Sequence, residues 1–361
     1  MKEFFLLGEN IRRYGVNVRY LLSENYKKLG EEGEGIAYIP MKDGIKGMAL
    51  DTFRFYNGKK LSQFISSDNP SFICFYNPHP LNPRLAYVIK KKIPKASLAL
   101  YLHDPYKPDK SPYGVTKSAY IKIAEFVQGL TIRYMDYVIS PSGYSSNLFK
   151  QRYPDFEGEN HVAPLLVPDM RKGKAERKYF TIVGTAHQAT GHDTFIELVN
   201  YIADKGLPYT FALISSSNID VFLGKLNPRA KNILTVTNKK IITDSEINNV
   251  IKESYAVFRL DREVTQSGVV PVSYMNETPV IARDIPGLAQ HVWHEKTGYI
   301  VPHACSPEDI LHGMEYVRNN FSALSENARR SYDDIWAEGN WDKYYQWLID
   351  LLNPNSSTSE V

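Results

Sequence analysis

An α/β fold with two doubly wound parallel sheets is predicted by three observations on this 361-residue chain. Short unbroken apolar runs recur along it, helix-length segments separate them, and each run ends in a polar turn. Strands covered on both faces by crossover helices lose the apolar/polar alternation of half-exposed strands and read in this way. At this length one core is too few, and two domains of ordinary size are expected.

Taken in order, "EFFLLGENIRRYGVNVRYLLS" reads as an amphipathic helix ending at Gly15, followed by the strand "VNVRYLLS". No strand and no glycine-rich turn precede that helix, so the expectation is either a first domain without the usual opening strand or a chain that, as given, starts inside it. The strands that follow are "SFICFY" (71–76), "ASLALYLH" (96–103) and "YVISPS" (137–142). A second series comprises "YFTIVG" (179–184), "YTFALISS" (209–216), "NILTV" (232–236), "YAVFRL" (255–260) and "PVIA" (279–282). Between the series lies "VAPLLVPDMRKGKAERK", which carries Pro164 and Pro168 and no apolar periodicity, the composition of a hinge. The divisions are 1–170, 171–330, a crossover helix over 331–353, and a flexible polar tail over 354–361. The crossover helix belongs to one long helical signal over 326–352. Its aromatic surface, Trp336, Trp341, Tyr344, Tyr345 and Trp347, exceeds what one small sheet needs and suits packing across both domains.

Composition narrows the function classes. No window of eighteen or more uncharged apolar residues occurs, and the N-terminus lacks a signal-peptide pattern, so a cytoplasmic protein is expected. Cys74 and Cys305 stand far apart with no Cys or His at metal-ligand spacing, which predicts buried free thiols, with no disulfide and no metal site. The net charge of +3 is divided unevenly: residues 1–170 hold 23 Lys and Arg against 17 Asp and Glu. Much of that excess lies in Lys90-Lys91-Lys92 with Lys95, and in Lys107 and Lys110, interleaved with Tyr101, Tyr106 and Tyr113. Such a face suits a solvated helix end or an anionic membrane surface, which would place the protein at the inner face of the membrane. No nucleic-acid recognition module is visible.

Candidate site residues cluster where strands end. In open α/β sheets ligands sit beyond the carboxyl ends of strands, against helix N-termini. In "YAVFRLDREVTQSGVVP" (255–271) the helix must begin near Ser267, because Pro271 is tolerated only in a first turn. Ser267 suits an N-cap, and Gly268 leaves the amides of Gly268, Val269 and Val270 open to an anion, with Arg262 or Arg259 as the cation. A second turn follows Gly184, running through Thr185 and Thr190 into the helix "DTFIELVNYIA". His103 and Asp104 end a strand of the basic half before Pro105, and such a pair can orient a hydroxyl or handle a proton. His79 in "YNPHPLNP" is a weaker candidate on the same ground.

Together these residues resemble the GT-B glycosyltransferases, in particular the large retaining group 1 (GT4-like) family, over most of the chain. "FTIVGTAHQATGHDTFIELVNYI" resembles the family's "VGR…KG" segment, and the later order through "PVIA", Pro286-Gly287 and "GYIV" is similar to the family's order. This chain departs from the pattern at four places. The two glutamates of the family's Glu-x7-Glu signature fall on Val264 and Val272, its glycine-arginine arginine on Thr185, and its lysine on Thr190. Glu263 stands one place from the first glutamate, and Ser273 and Tyr274 are the polar groups near the second. The turn from Thr265 through Gln266, Ser267, Gly268 and Val269 resembles the phosphate-binding turn of diverged members.

The resemblance implies two Rossmann-like domains facing a cleft, with a C-terminal helix crossing back to the first. It implies transfer of a sugar, with retention and without a metal or other cofactor, from a nucleotide-sugar donor to a glycan, glycolipid or protein-glycan acceptor. His103 then matches the acceptor-side histidine, Asp104 and Glu263 its catalytic neighbours, and Arg262 a compensating charge for the diphosphate. Lys239, Lys240 and Ile241 lie where the family contacts the nucleotide base. The missing charges also permit an alternative, a weak or inactive relative that serves as a binding or partner subunit.

Overall fold

The computed structural model describes residues 3–23, 35–39, 69–76 and 79–353. Helix α1 (Glu3–Arg12) leads into β1 (Tyr20–Ser23), which pairs in parallel with β2 (Ile36–Ile39) as a two-stranded sheet, Tyr20 opposite Ile36. The expected first strand is thus shortened to its last four residues. Strands β3 (Phe72–Tyr76), β4 (Ser97–Tyr101), β5 (Tyr137–Ser140) and β6 (Glu159–Val162) form a four-stranded parallel sheet in chain order. Its crossovers are α2 (Asn82–Lys92), α3 (Gly114–Ile132) and α4 (Gly143–Arg152).

The second sheet has six parallel strands: β7 (Tyr179–Val183), β8 (Thr210–Ser215), β9 (Leu234–Asn238), β10 (Ser254–Arg259), β11 (Val280–Arg283) and β12 (Gly298–Val301). Their spatial order is β12-β11-β10-β7-β8-β9. The chain winds outward from β7 to β9, returns to the other side of β7 as β10, and winds outward again, so the direction reverses between β7 and β10. That reversal makes a crevice where neighbouring loops leave in opposite directions, the usual ligand position of an open α/β sheet.

Burial explains why these segments are strands. Along β10, Ala256 and Phe258 point into a core with Phe180, Phe195, Phe211 and Leu213, while Val257 points the other way onto Val183, Ile214 and Ile251. Both faces are therefore dry, and fully burying each such side chain contributes roughly 1.5–3 kcal/mol. The helices around the sheet are α5 (His192–Asp204), α6 (Asp244–Lys252), α7 (Val269–Met275), α8 (Pro307–Asn319), α9 (Phe321–Ile335) and α10 (Trp341–Leu352). Their starts are locally encoded. Thr243 caps α6 by accepting from the Glu246 amide at 3.3 Å while Glu246 accepts from the Thr243 amide at 3.0 Å, and Ser306 with Asp309 repeats the arrangement at α8.

The expected single helix over 326–352 is two helices, interrupted at Trp336–Asn340. Ala337 is extended and bridges Val167, whose amide donates to the Trp336 carbonyl at 2.8 Å and whose carbonyl accepts from the Tyr332 hydroxyl at 2.6 Å. Each helix serves a different sheet. In α9, Ala328 and Tyr332 pack on Val270, Tyr274 and Val280, whereas Trp341, Tyr345 and Leu348 of α10 pack on Tyr101, Ile139 and Leu166.

Candidate functional site

The strand reversal brings together the ends of β7 and β10. Ile182 lies opposite Phe258, so Gly184, just past β7, neighbours Arg259, the last residue of β10. Gly184 has φ +126°, where a side chain is strained, and a Cβ built on it would meet only Arg259 Nη1, at 3.8 Å. The Arg259 guanidinium donates to Asp261 Oδ1 at 2.9 Å and approaches the Val183 carbonyl at 3.5 Å, while its buried Nε has no partner. Asp261 is buried and its Oδ2 is also unpartnered. Burial pushes the Asp261 carboxyl up, against the opposing pull of Arg259.

Two more buried groups complete this crevice. His192 Nδ1 lies 2.9 Å from the Thr190 hydroxyl, its Nε2 is unpartnered, and burial, reinforced by Arg259, lowers its pKa to about 4. Arg283, at the end of β11, donates to the His303 carbonyl at 3.0 Å and to Thr194 at 3.2 Å but leaves Nε unpartnered. Buried polar atoms without partners are uncommon in folded proteins. Here four of them, on Arg259, Asp261, His192 and Arg283, gather beyond the carboxyl ends of β7, β10 and β11.

Around that crevice the structure distributes the expected donor contacts unevenly. Arg262 is spent: its fork grips the Asp193 carboxylate at 2.9 and 2.8 Å and also donates to the Gln188 carbonyl. Helix α7 begins at Val269, and Ser267 accepts from the Val269 amide at 3.2 Å, so one of the three expected free amides is taken. Gly268 has an ordinary helical φ of −68°, and a Cβ on it would meet nothing within 4 Å, so open space adjoins it. Gln266 beside it is half-buried. Ser273 is buried and donates to the Val269 carbonyl at 2.8 Å, and Tyr274 donates to Thr297 at 2.7 Å, which leaves neither for a ribose. The Thr190 hydroxyl is likewise held inside its own loop, 2.7 Å from the His187 carbonyl and 3.0 Å from that of Thr185, whereas Thr185 itself is exposed. Lys239 pairs with Glu246, while Lys240 and Ile241 are exposed beyond β9, three strands and about 14 Å from β10.

Two of the three expected catalytic side chains, Asp104 and Glu263, are brought together across the two sheets, while the His103 ring lies against Tyr101 and Tyr76, with centroids 5.0 and 5.5 Å away. His103 and Asp104 follow β4; the Thr265 hydroxyl donates to the Asp104 carboxylate, with the His103 carbonyl 3.3 Å away. Lys107 reaches Asp104 at 3.0 Å and Glu263 at 3.4 Å, and the Tyr113 hydroxyl donates to Glu263 at 2.7 Å. Desolvation works against the Asp104 carboxylate, yet Lys107 and Thr265 outweigh it and hold its pKa below the usual range. Lys107 is likewise held above its ordinary value, since Asp104 and Glu263 together overcome burial. Glu263 is pushed up, because burial outweighs the pull of Lys107 and of the Tyr113 hydroxyl. Tyr113 and Thr265 were not singled out as site residues, because nothing in their local spacing links positions some 150 residues apart.

Other sequence candidates have structural employment. His79 Nδ1 accepts from the Leu81 amide at 3.1 Å, and Lys90 grips Asp136 at 2.6 and 2.8 Å. Among the described residues, no group of three or more His, Cys, Asp and Glu is placed to hold a metal, and no helix is long and apolar enough to cross a membrane.

No family model and no curated protein sequence matches this chain. Its fold, by contrast, is shared with many solved structures. A glycosyltransferase from Rickettsia africae superposes with a TM-score of 0.71 at 14% identity, covering 98% of this chain and 95% of its own. HepE of Anabaena, solved with UDP, gives 0.64 at 12% identity over 88% of this chain and 86% of its own. TarM gives 0.64 at 13% identity over 80% of this chain, which spans only 57% of TarM. The parallel sheets, the strand reversal between β7 and β10 and these superpositions establish that the chain adopts the GT-B fold of known glycosyltransferases.

Proposed function

We propose that the protein transfers a sugar from a nucleotide-sugar donor to a glycan, glycolipid or protein-glycan acceptor, with the donor diphosphate at the crevice between β7 and β10. The observation that carries this reading is Arg259: a half-buried cation whose buried Nε has no partner, beside the glycine that follows β7, at the point where the strand order reverses. It takes the compensating role first expected of Arg262. UDP bound to HepE, a protein of the same fold, supports a nucleotide as the ligand.

The chemistry follows from the leaving group. As the sugar departs, negative charge grows on the nucleoside diphosphate. Fixed donors in a partly dry site stabilise such charge without reorganising, and Arg259 with the exposed amide of Gly268 provides them. The reading needs no metal ion. Lys240 and Ile241 then border the base. The acceptor enters from the side of His103, Asp104 and Glu263, where Lys107 stabilises both carboxylates. Retention of configuration and a hexosyl donor belong to the same proposal, as does action at the inner face of the membrane.

A second reading is a donor-binding relative with little or no turnover. It is favoured by one observation, that Asp104 and Glu263 are both engaged by Lys107 and by Thr265 or Tyr113. Thermal shift and hydrolysis against UDP-, GDP-, ADP- and CMP-sugars separate the readings: binding with turnover supports the transferase, and binding alone supports the relative. A protein that neither binds nor turns over any of them sinks both. Gly268→Asp should leave the fold intact, because its Cβ meets open space, and abolish donor binding by placing a carboxylate in the crevice. Unchanged affinity would remove this turn from the donor site.

A further inference from the structure

We propose that Asp261 and His192 bind hydroxyl groups that the ligand carries beside its diphosphate, which rests on the diphosphate lying at the crevice between β7 and β10. The four unpartnered buried atoms of that crevice are of two kinds. Arg259 Nε and Arg283 Nε are N–H donors, and an anion satisfies them. Asp261 Oδ2 and His192 Nε2 make the opposite demand. Both side chains are deeply buried, at 2% and 1% exposure. Asp261 Oδ1 accepts from Arg259 at 2.9 Å, and the charges of Arg259, Arg283 and Lys107 oppose the effect of burial and favour the carboxylate, which only accepts.

For His192 the tautomer decides. The Thr190 hydroxyl has one proton, and the carbonyls of His187 and Thr185 lie 2.7 and 3.0 Å from its oxygen, so one of them takes it. Thr190 therefore meets His192 Nδ1, 2.9 Å away, with a lone pair; Nδ1 carries the ring proton and Nε2 is an acceptor. Burial lowers the His192 pKa to about 4, which keeps the ring neutral and Nε2 free of a proton at neutral pH. A diphosphate presents acceptor oxygens and meets neither atom. An ammonium group would donate, but it would add a cation beside Arg259 and Arg283. Hydroxyls donate without charge, and a nucleotide-sugar carries them on both sides of its diphosphate, on the ribose and on the sugar. The approach is from Gly184, where a Cβ would meet only Arg259 Nη1. The same guanidinium reaches Asp261 through its other nitrogen, so drawing it onto a diphosphate uncovers the carboxylate.

The test is calorimetry on the full chain with UDP, GDP and ADP, their 2′,3′-dideoxy counterparts and their glucose esters. Asp261→Asn and His192→Phe keep side-chain shape and remove one acceptor each. Each should weaken the tightest hydroxyl-bearing ligand about tenfold, whereas Arg259→Met should weaken every ligand. A loss confined to the glucose esters assigns the acceptors to the transferred sugar; one shared by the free diphosphates and absent from the dideoxy forms assigns them to the ribose. If Asp261→Asn unfolds through its lost bond to Arg259, His192→Phe still decides, because the deleted Nε2 has no partner in the free protein. Unchanged affinities would overturn the proposal and leave the donor site standing, with water meeting the two atoms. A loss that includes the dideoxy forms would overturn it too, since the residues would then act through Arg259. Wild type that binds none of these ligands would instead overturn the donor reading, and the proposal with it.

Discussion

The carboxyl ends of the two sheets carry similar residue types in opposite states. Beyond β4, the charged groups Asp104, Lys107 and Glu263 satisfy one another and hold Thr265 and Tyr113 with them, so the contact between the sheets is a closed network. Beyond β7 and β10, Arg259, Asp261 and His192 are also largely withdrawn from water, yet each keeps one buried polar atom without a partner. An unmade hydrogen bond in a buried place costs about 1–3 kcal/mol per group. The comparison teaches that the first cluster positions the halves, whereas the second is incomplete until something polar arrives.

The largest expected effect tests whether the incomplete site is held in shape by close backbone packing. Gly191 has φ +71°, and a Cβ on it would lie 2.2 Å from the Leu260 carbonyl. Gly191→Ala should cost roughly 3 kcal/mol in urea unfolding, through strain and displacement of the end of β10. A loss under about 0.5 kcal/mol would show that the crevice is soft.

Next comes proton linkage at His192. Its folded pKa of about 4 lies below its ordinary value of about 6.5, so between these the unfolded chain binds a proton that the folded chain refuses. The contribution is complete above about pH 6.5 and is lost as pH falls toward about 4, by at most roughly 3 kcal/mol. His192→Gln should flatten the unfolding free energy across that window; a profile parallel to wild type would assign the acid sensitivity elsewhere.

Smaller still, and confined to binding, is Arg259→Met. A diphosphate that completes the crevice should bind about tenfold to a hundredfold more weakly to this variant, as measured by calorimetry with nucleoside diphosphates. An equal loss in Arg262→Met would erase the distinction between the spent cation and the open one. The smallest effect is expected for Thr265→Val, about 1 kcal/mol of stability, with diphosphate affinity unchanged because the closed network lies outside the donor crevice.

Legibility followed burial. Strands such as β7, β8 and β10, dry on both faces, announced themselves as apolar runs, whereas β6, an edge strand reading Glu-Asn-His-Val, has no such run to find. The break at Trp336–Asn340 was hidden because aromatic periodicity continues on either side of it; what interrupts the helix is a bridge to Val167 from far upstream. Strand-end reasoning reached Arg259 and Arg262 together. Choosing between them required Asp193, which the fold sets beside Arg262. Likewise His103, Asp104 and Glu263 were legible as strand-end polar groups, while Lys107, Tyr113 and Thr265 were not legible as the partners of Asp104 and Glu263.

The handover at Val167 also has a consequence in time. Helix α10 covers Tyr101, Ile139 and Leu166, yet the ribosome makes it only after every strand of the other sheet. Throughout synthesis the earlier sheet therefore waits with this face only partly covered, by α1, and its completion is a late, long-range event of the kind that slows folding and exposes nascent chains to aggregation. The same wait links the two sheets' fates, because the residues that finish the first are threaded through the second.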